Sequence, residues 1–136
     1  MLRKIAEKHG WRRFRPAAWV QVTGEDALVF LQGQFTQDLV ATPDGGVAYG
    51  LWLTPKGRVW GDSFVLKASP TQLWVLSEGL KGAALRERLE AYIVADDVIL
   101  DDASDRAHAL VCAGLDAPGG KTPEATRGED VPLLLA

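Results

Sequence analysis

The chain has 136 residues, 47% of them hydrophobic and 24% charged, with a formal net charge of -3. That make-up fits one globular domain with its own core and excludes disordered or fibrous classes. A single cysteine, Cys112, excludes an internal disulfide and any multi-cysteine metal centre and suits a reducing, cytoplasmic compartment. No apolar run approaches the length of a membrane span, and no secretory signal pattern is present.

Charge is uneven. Arg3, Lys4, Lys8, Arg12, Arg13 and Arg15 face only Glu7 within residues 1–15, so the rest of the chain is acidic. An acidic body argues against broad nucleic-acid binding, and the basic segment reads as a solvated terminus. Leu2, Ile5, Ala6 and His9 share one side of a short predicted helix that Arg15-Pro16 ends, because a residue before proline avoids helical geometry. Trp19 to Val22 then reads as a strand. Thr23 is a plausible N-cap, with Asp26 at the capping-box position, for a helix burying Ala27, Phe30, Leu31 and Phe35.

Asp44-Gly45-Gly46 marks a turn. Val47, Tyr49, Leu51 and Leu53 alternate as a strand, Pro55-Lys56-Gly57 reverses the chain, and a second strand returns from Arg58 to Leu66. Ser69-Pro70-Thr71 turns again into a strand from Gln72 to Ser77. A helix from about Leu80 to Ile93 follows, with Leu85, Leu89, Tyr92 and Ile93 on its buried side. Two last strands are expected, Val98 to Asp101 and about Ala107 to Ala113. This order predicts an α+β fold: an antiparallel sheet with two helices packed on one face, containing a split β-α-β unit of the ferredoxin-like kind.

Residues 16–113 therefore form the expected domain. From Gly114 the composition shifts to glycine, proline and threonine, and the chain closes on VPLLLA. Residues 114–136 read as a linker leading into the start of a further element.

One side chain stands out. Alternation puts Arg58, Trp60, Asp62, Phe64 and Leu66 on one strand face, so Asp62 is a lone carboxylate between two aromatic residues. Such a group is costly unless something satisfies it. The simplest alternative is a hydrated acid at an open edge. Gln32, Gln34, Thr36 and Asp38 read as a helix C-terminal turn whose side chains satisfy backbone groups. The acids Asp96, Asp97, Asp101, Asp102 and Asp105 lack calcium-loop spacing and read as a solvated strand edge. His9 and His108 have no metal-ligand spacing, and no metal site is expected. The five tryptophans, Trp11, Trp19, Trp52, Trp60 and Trp74, read mainly as core and interface filling.

The runs VTGEDALVFLQGQFTQDL, LTPKGRVWGD and RLEAYIVADDV resemble the glycine-cleavage T-protein (aminomethyltransferase) superfamily. They are most similar to its YgfZ branch, folate-binding proteins that support iron–sulfur enzymes. The resemblance spans roughly residues 18–113 and implies the same α+β fold, tetrahydrofolate or another reduced folate as cofactor, and iron–sulfur proteins as partners. In T-proteins an acid pair follows a small-residue turn, and the second acid orients and activates the folate amine. Asp62 matches that second acid and Gly61 replaces the first. The resemblance also points to Tyr49, Trp74, Leu76 and Glu78 as folate contacts. A pterin is flat with a polar edge. Tyr49, Trp60, Phe64 and Trp74 could wall such a ring while Asp62 or Glu78 meets its N–H groups. Lys56 and Arg58 could attract the glutamate tail or simply form a solvated turn. The cysteine signature K-G-C-Y-x-G-Q-E of the YgfZ branch is absent here, and Cys112 in LVCAG does not match it. Two rivals remain: an aminomethyltransferase with Asp62 as its catalytic acid, and a non-catalytic interaction domain with a vestigial pocket.

Overall fold

The computed structural model describes residues 11–112. The expected helix over residues 2–9 and the 114–136 tail lie outside them. Two compact units separate at Pro16 and Arg106.

In the first unit, β1 (Trp11–Phe14) pairs antiparallel with β7 (Ala109–Cys112), Trp11 opposite Cys112 and Phe14 opposite Ala109. This pairing corrects the expectation that helix continues up to Arg15. The four residues WRRF show no apolar-polar alternation, so only the pairing with β7 defines this strand.

The second unit, Pro16–Arg106, contains β2 (Ala18–Thr23), α1 (Ala27–Gln32), β3 (Val47–Leu53), β4 (Val59–Ser69), β5 (Gln72–Ser77), α2 (Gly82–Glu90) and β6 (Ile99–Asp102), followed by a 3₁₀ turn at Ser104–Arg106. Its five strands form one sheet in the order β3-β4-β5-β2-β6. Every neighbouring pair is antiparallel. Since β5 and β6 both oppose β2, they run parallel to each other with β2 between them, and α2 makes the crossover. This is the split β-α-β arrangement.

The core lies on one face of the sheet. Alternation sends Val20, Val22, Trp52, Val65, Leu73 and Val75 to that face, where Ala27, Phe30 and Leu31 of α1 and Leu85 and Leu89 of α2 meet them. Each fully buried large aliphatic contributes roughly 1.5–3 kcal/mol. Trp52 is fully buried, and its Nε1–H donates to Ser63 Oγ at 2.8 Å. The Phe35 ring packs tilted on Trp52, 4.8 Å between centroids. Gly50 makes this possible, because a Cβ there would stand 2.7 Å from the Phe35 ring.

Both helices are shorter than expected. Gly24 adopts φ 128°, so the chain reaches α1 through Asp26. No side chain caps the helix; Asp26 Oδ2 instead accepts from the Asp97 N–H at 2.7 Å. The Thr23/Asp26 capping box is therefore not formed. Helix α2 ends at Glu90, which leaves Tyr92 42% exposed rather than on the buried side.

The reading of Gln32, Thr36 and Asp38 as backbone-satisfying groups matches their bonds. Gln32 Oε1 accepts from the N–H groups of Leu39 (2.6 Å) and Val40 (3.1 Å), and Asp38 Oδ1 accepts from Ala41 N–H (3.0 Å). Thr36 Oγ1 accepts from Leu51 N–H at 2.8 Å, tying the loop to the edge of β3. The same loop is pinned by Lys67, which is buried in the sheet face under it. Its ammonium donates to the carbonyls of Leu39 (3.2 Å), Val40 (3.3 Å) and Thr42 (2.8 Å). Alternation from Ser63 through Val65 already places Lys67 on the helix side, but nothing local signals the three carbonyls awaiting it.

Candidate functional site

The other face of the sheet carries the acid. Pairing sets Leu51 opposite Asp62 and Tyr49 opposite Phe64. Phe64 in turn faces Leu76, Leu66 faces Trp74, and Leu76 faces Trp19. Tyr49, Asp62, Phe64, Trp74 and Leu76 therefore share this face. Trp74 stacks on Trp19 with centroids 4.8 Å apart and planes 14° from parallel. Tyr49 tilts against Phe64 at 5.0 Å.

Asp62 is half-buried and is not an orphan: the Tyr49 hydroxyl donates to its Oδ2. The carboxylate raises the Tyr49 phenol above its ordinary value, chiefly through that hydrogen bond, with desolvation and the negative charge adding to it. The partner for the acid thus comes from the neighbouring strand. A diagonal contact between strands becomes visible only once the register is known.

Two sequence expectations change. The register of β3 with β4 slips between Trp52 and Leu53, so Trp52 pairs with Gly61 and Leu53 with Val59. Trp60 is the extra residue of this bulge. It packs toward the helical core, where the Arg88 guanidinium lies 4.6 Å over its ring. Trp60 therefore does not wall Asp62, and Arg58 falls in the exposed turn before the strand. A bulge re-aims side chains in this way without changing local composition. Second, β5 ends at Ser77, so Glu78 lies exposed beyond it rather than continuing the face of Trp74 and Leu76. Ser77 Oγ donates to the Asp62 carbonyl at 2.8 Å and accepts from Leu80 N–H at 3.1 Å, which turns the chain away.

Gly61 points to the helical face, where a Cβ would stand 2.6 Å from the Leu80 side chain. An acid at position 61 would be displaced by Leu80 and would not join Asp62. Among the described residues, no group of three or more His, Cys, Asp or Glu side chains is placed to hold a metal ion. No helix among them is long and apolar enough to cross a membrane.

On the face built by β3, β4, β5 and β2, Trp19, Leu66 and Leu76 are buried, while Tyr49 is exposed and Asp62, Phe64 and Trp74 are half-buried, so its accessible part is an aromatic patch carrying one carboxylate with a phenol beside it. The chain matches the GCVT N-terminal domain over residues 7–118 and belongs to that family. Among solved structures it is similar to the glycine cleavage system aminomethyltransferase T from Bartonella henselae, with a TM-score of 0.60 and 16% identity. The match covers 72% of this chain and 29% of that protein, so the chain corresponds to less than a third of its length. At this identity the likeness speaks to fold. No curated protein matches the chain.

Proposed function

We propose that this domain binds a reduced folate on the Asp62 face. The single observation that carries the reading is the Tyr49–Asp62 pair set beside the half-buried rings of Phe64 and Trp74, the latter backed by the buried Trp19. The residues fit the group. A pterin needs a flat apolar support and an acceptor for its ring and amino N–H groups, and the Asp62 carboxylate retains acceptor lone pairs beyond the one Tyr49 uses. Tyr49 and Trp74 would support the ring; Leu76 is buried, and Glu78 is left out of the contact set. Bound tetrahydrofolate would carry one-carbon units; the chain's own contribution is to hold and orient its amine.

Within the family, the YgfZ-like role is favoured: a cytoplasmic folate-binding protein that helps maintain iron–sulfur enzymes and works together with further domains. FLQGQFTQD and PKGRVWGD support this branch, as does the absence of a second acid beside Asp62. The second reading is an aminomethyltransferase, the activity named for the Bartonella protein, with Asp62 as the acid at the folate amine. Incubation with an aminomethylated lipoyl carrier and tetrahydrofolate separates the two. Formation of methylenetetrahydrofolate establishes the transferase; folate binding without product establishes the non-catalytic role.

A further inference from the structure

A second candidate site lies on the helical side of the sheet. A cleft of about 470 Å³ opens there, lined among others by Gln34, Phe35, Thr54, Pro55, Arg88 and Tyr92. It shares no residue with the Asp62 face and is independent of the folate reading. The volume falls within the range of small-molecule sites. The FLQGQF turn and the LTPKG hairpin, the two stretches by which the chain resembles its family, meet at this cleft.

Arg88 is its chemical centre. The half-buried guanidinium lies against the Trp60 ring and donates one N–H to the Leu53 carbonyl. These two contacts fix its plane. No carboxylate of the described residues forms an ion pair with it, although Arg86 on the same helix pairs with Glu90 and Arg106 pairs with Asp101. A partly desolvated guanidinium held by two contacts, with donors to spare and no counter-charge among the described residues, is built to receive a planar anion in a forked geometry. Around it, Pro55 and the exposed ring of Tyr92 offer apolar surface, with the buried Phe35 behind them. The Gln34 side chain supplies an amide. The neighbouring turn adds Lys56 and Arg58, both exposed, to the same end of the hairpin.

We propose that this cleft binds a small carboxylate-bearing molecule with a flat ring, its carboxylate on Arg88 and its ring against Tyr92 and Pro55. The test is an NMR titration of the whole chain, following the Trp60 indole N–H and the Arg88 Nε–H. Benzoate serves as probe, benzamide as its neutral isostere and inorganic phosphate as an anion without a ring. Benzoate is expected to move both signals to saturation, benzamide to move neither, and phosphate to bind more weakly. Arg88→Lys keeps the charge but loses the fork, and is expected to weaken benzoate binding about tenfold. Should that variant fail to fold, Tyr92→Ala alters only an exposed ring and is expected to weaken binding as well. The proposal is overturned if benzoate gives no saturable shift, if benzamide or phosphate matches it, or if the folded variants bind as the wild type does.

Discussion

Tyr49 and Asp62 stand on neighbouring strands, two residues out of direct register, and the phenol of the first donates to the carboxylate of the second. This contact gives the acid its orientation and sets what a ligand must do there: share the carboxylate with Tyr49 or displace it.

The contact makes alkaline pH informative. Because Asp62 holds the Tyr49 phenol above its ordinary value of 10.0, the stabilisation it gives is complete below that value and is lost as pH rises through the raised one. In a tyrosinate absorbance titration, the component removed by Tyr49→Phe is expected to lie above that ordinary value. Asp62→Asn should bring it down. An unshifted transition in Asp62→Asn would show that the two groups do not interact in solution.

Glu78 is exposed beyond the end of β5, off the face that Trp74 and Leu76 share. Replacing it with Gln is expected to leave folate affinity within about twofold, the scale of an ordinary surface substitution. Titration calorimetry of that variant checks whether the chain really turns out of the site after Ser77.

Gly50→Ala sets a methyl group against the Phe35 ring, 2.7 Å away, over the buried Trp52. Overpacking of this kind costs about 1–3 kcal/mol. Urea denaturation should show the loss as a lower midpoint with an unchanged slope, since the exposed surface on unfolding stays the same.

Lys67→Met preserves the apolar stem but removes the donor from three carbonyls of the Leu39–Thr42 loop. A loss of about 1–3 kcal/mol is expected for buried acceptors left without partners. Hydrogen exchange should report it locally, with protection falling first at Leu39 and Val40, whose amides bond Gln32.

How much of the molecule is legible in its sequence depends on whether a feature is local. Alternation in Val47–Leu53 and Gln72–Ser77 places those strands correctly, and the spacing of Leu85 and Leu89 locates the second helix. The same alternation puts Asp62 with Phe64, and Trp74 with Leu76, on one face of their own strands; that the two faces coincide follows only from the pairing of β4 with β5. It fails where strand pairing intervenes. The bulge opposite Trp52 turns Trp60 to the other side, and no single-strand pattern records an extra residue in a ladder. The Tyr49–Asp62 bond depends on register between two strands, and the Arg88–Trp60 contact depends on how α2 lies on the sheet. Gly61 reads in the sequence as a missing acid; its meaning is steric, set by Leu80 from across the core.

The most direct measurement is isothermal titration of tetrahydrofolate into the wild-type chain and into Asp62→Asn. The account predicts saturable binding to the wild type and a loss of about tenfold or more in the variant, the scale of one charge-assisted hydrogen bond. Equal affinity in the two proteins, or no binding to the wild type, would contradict it.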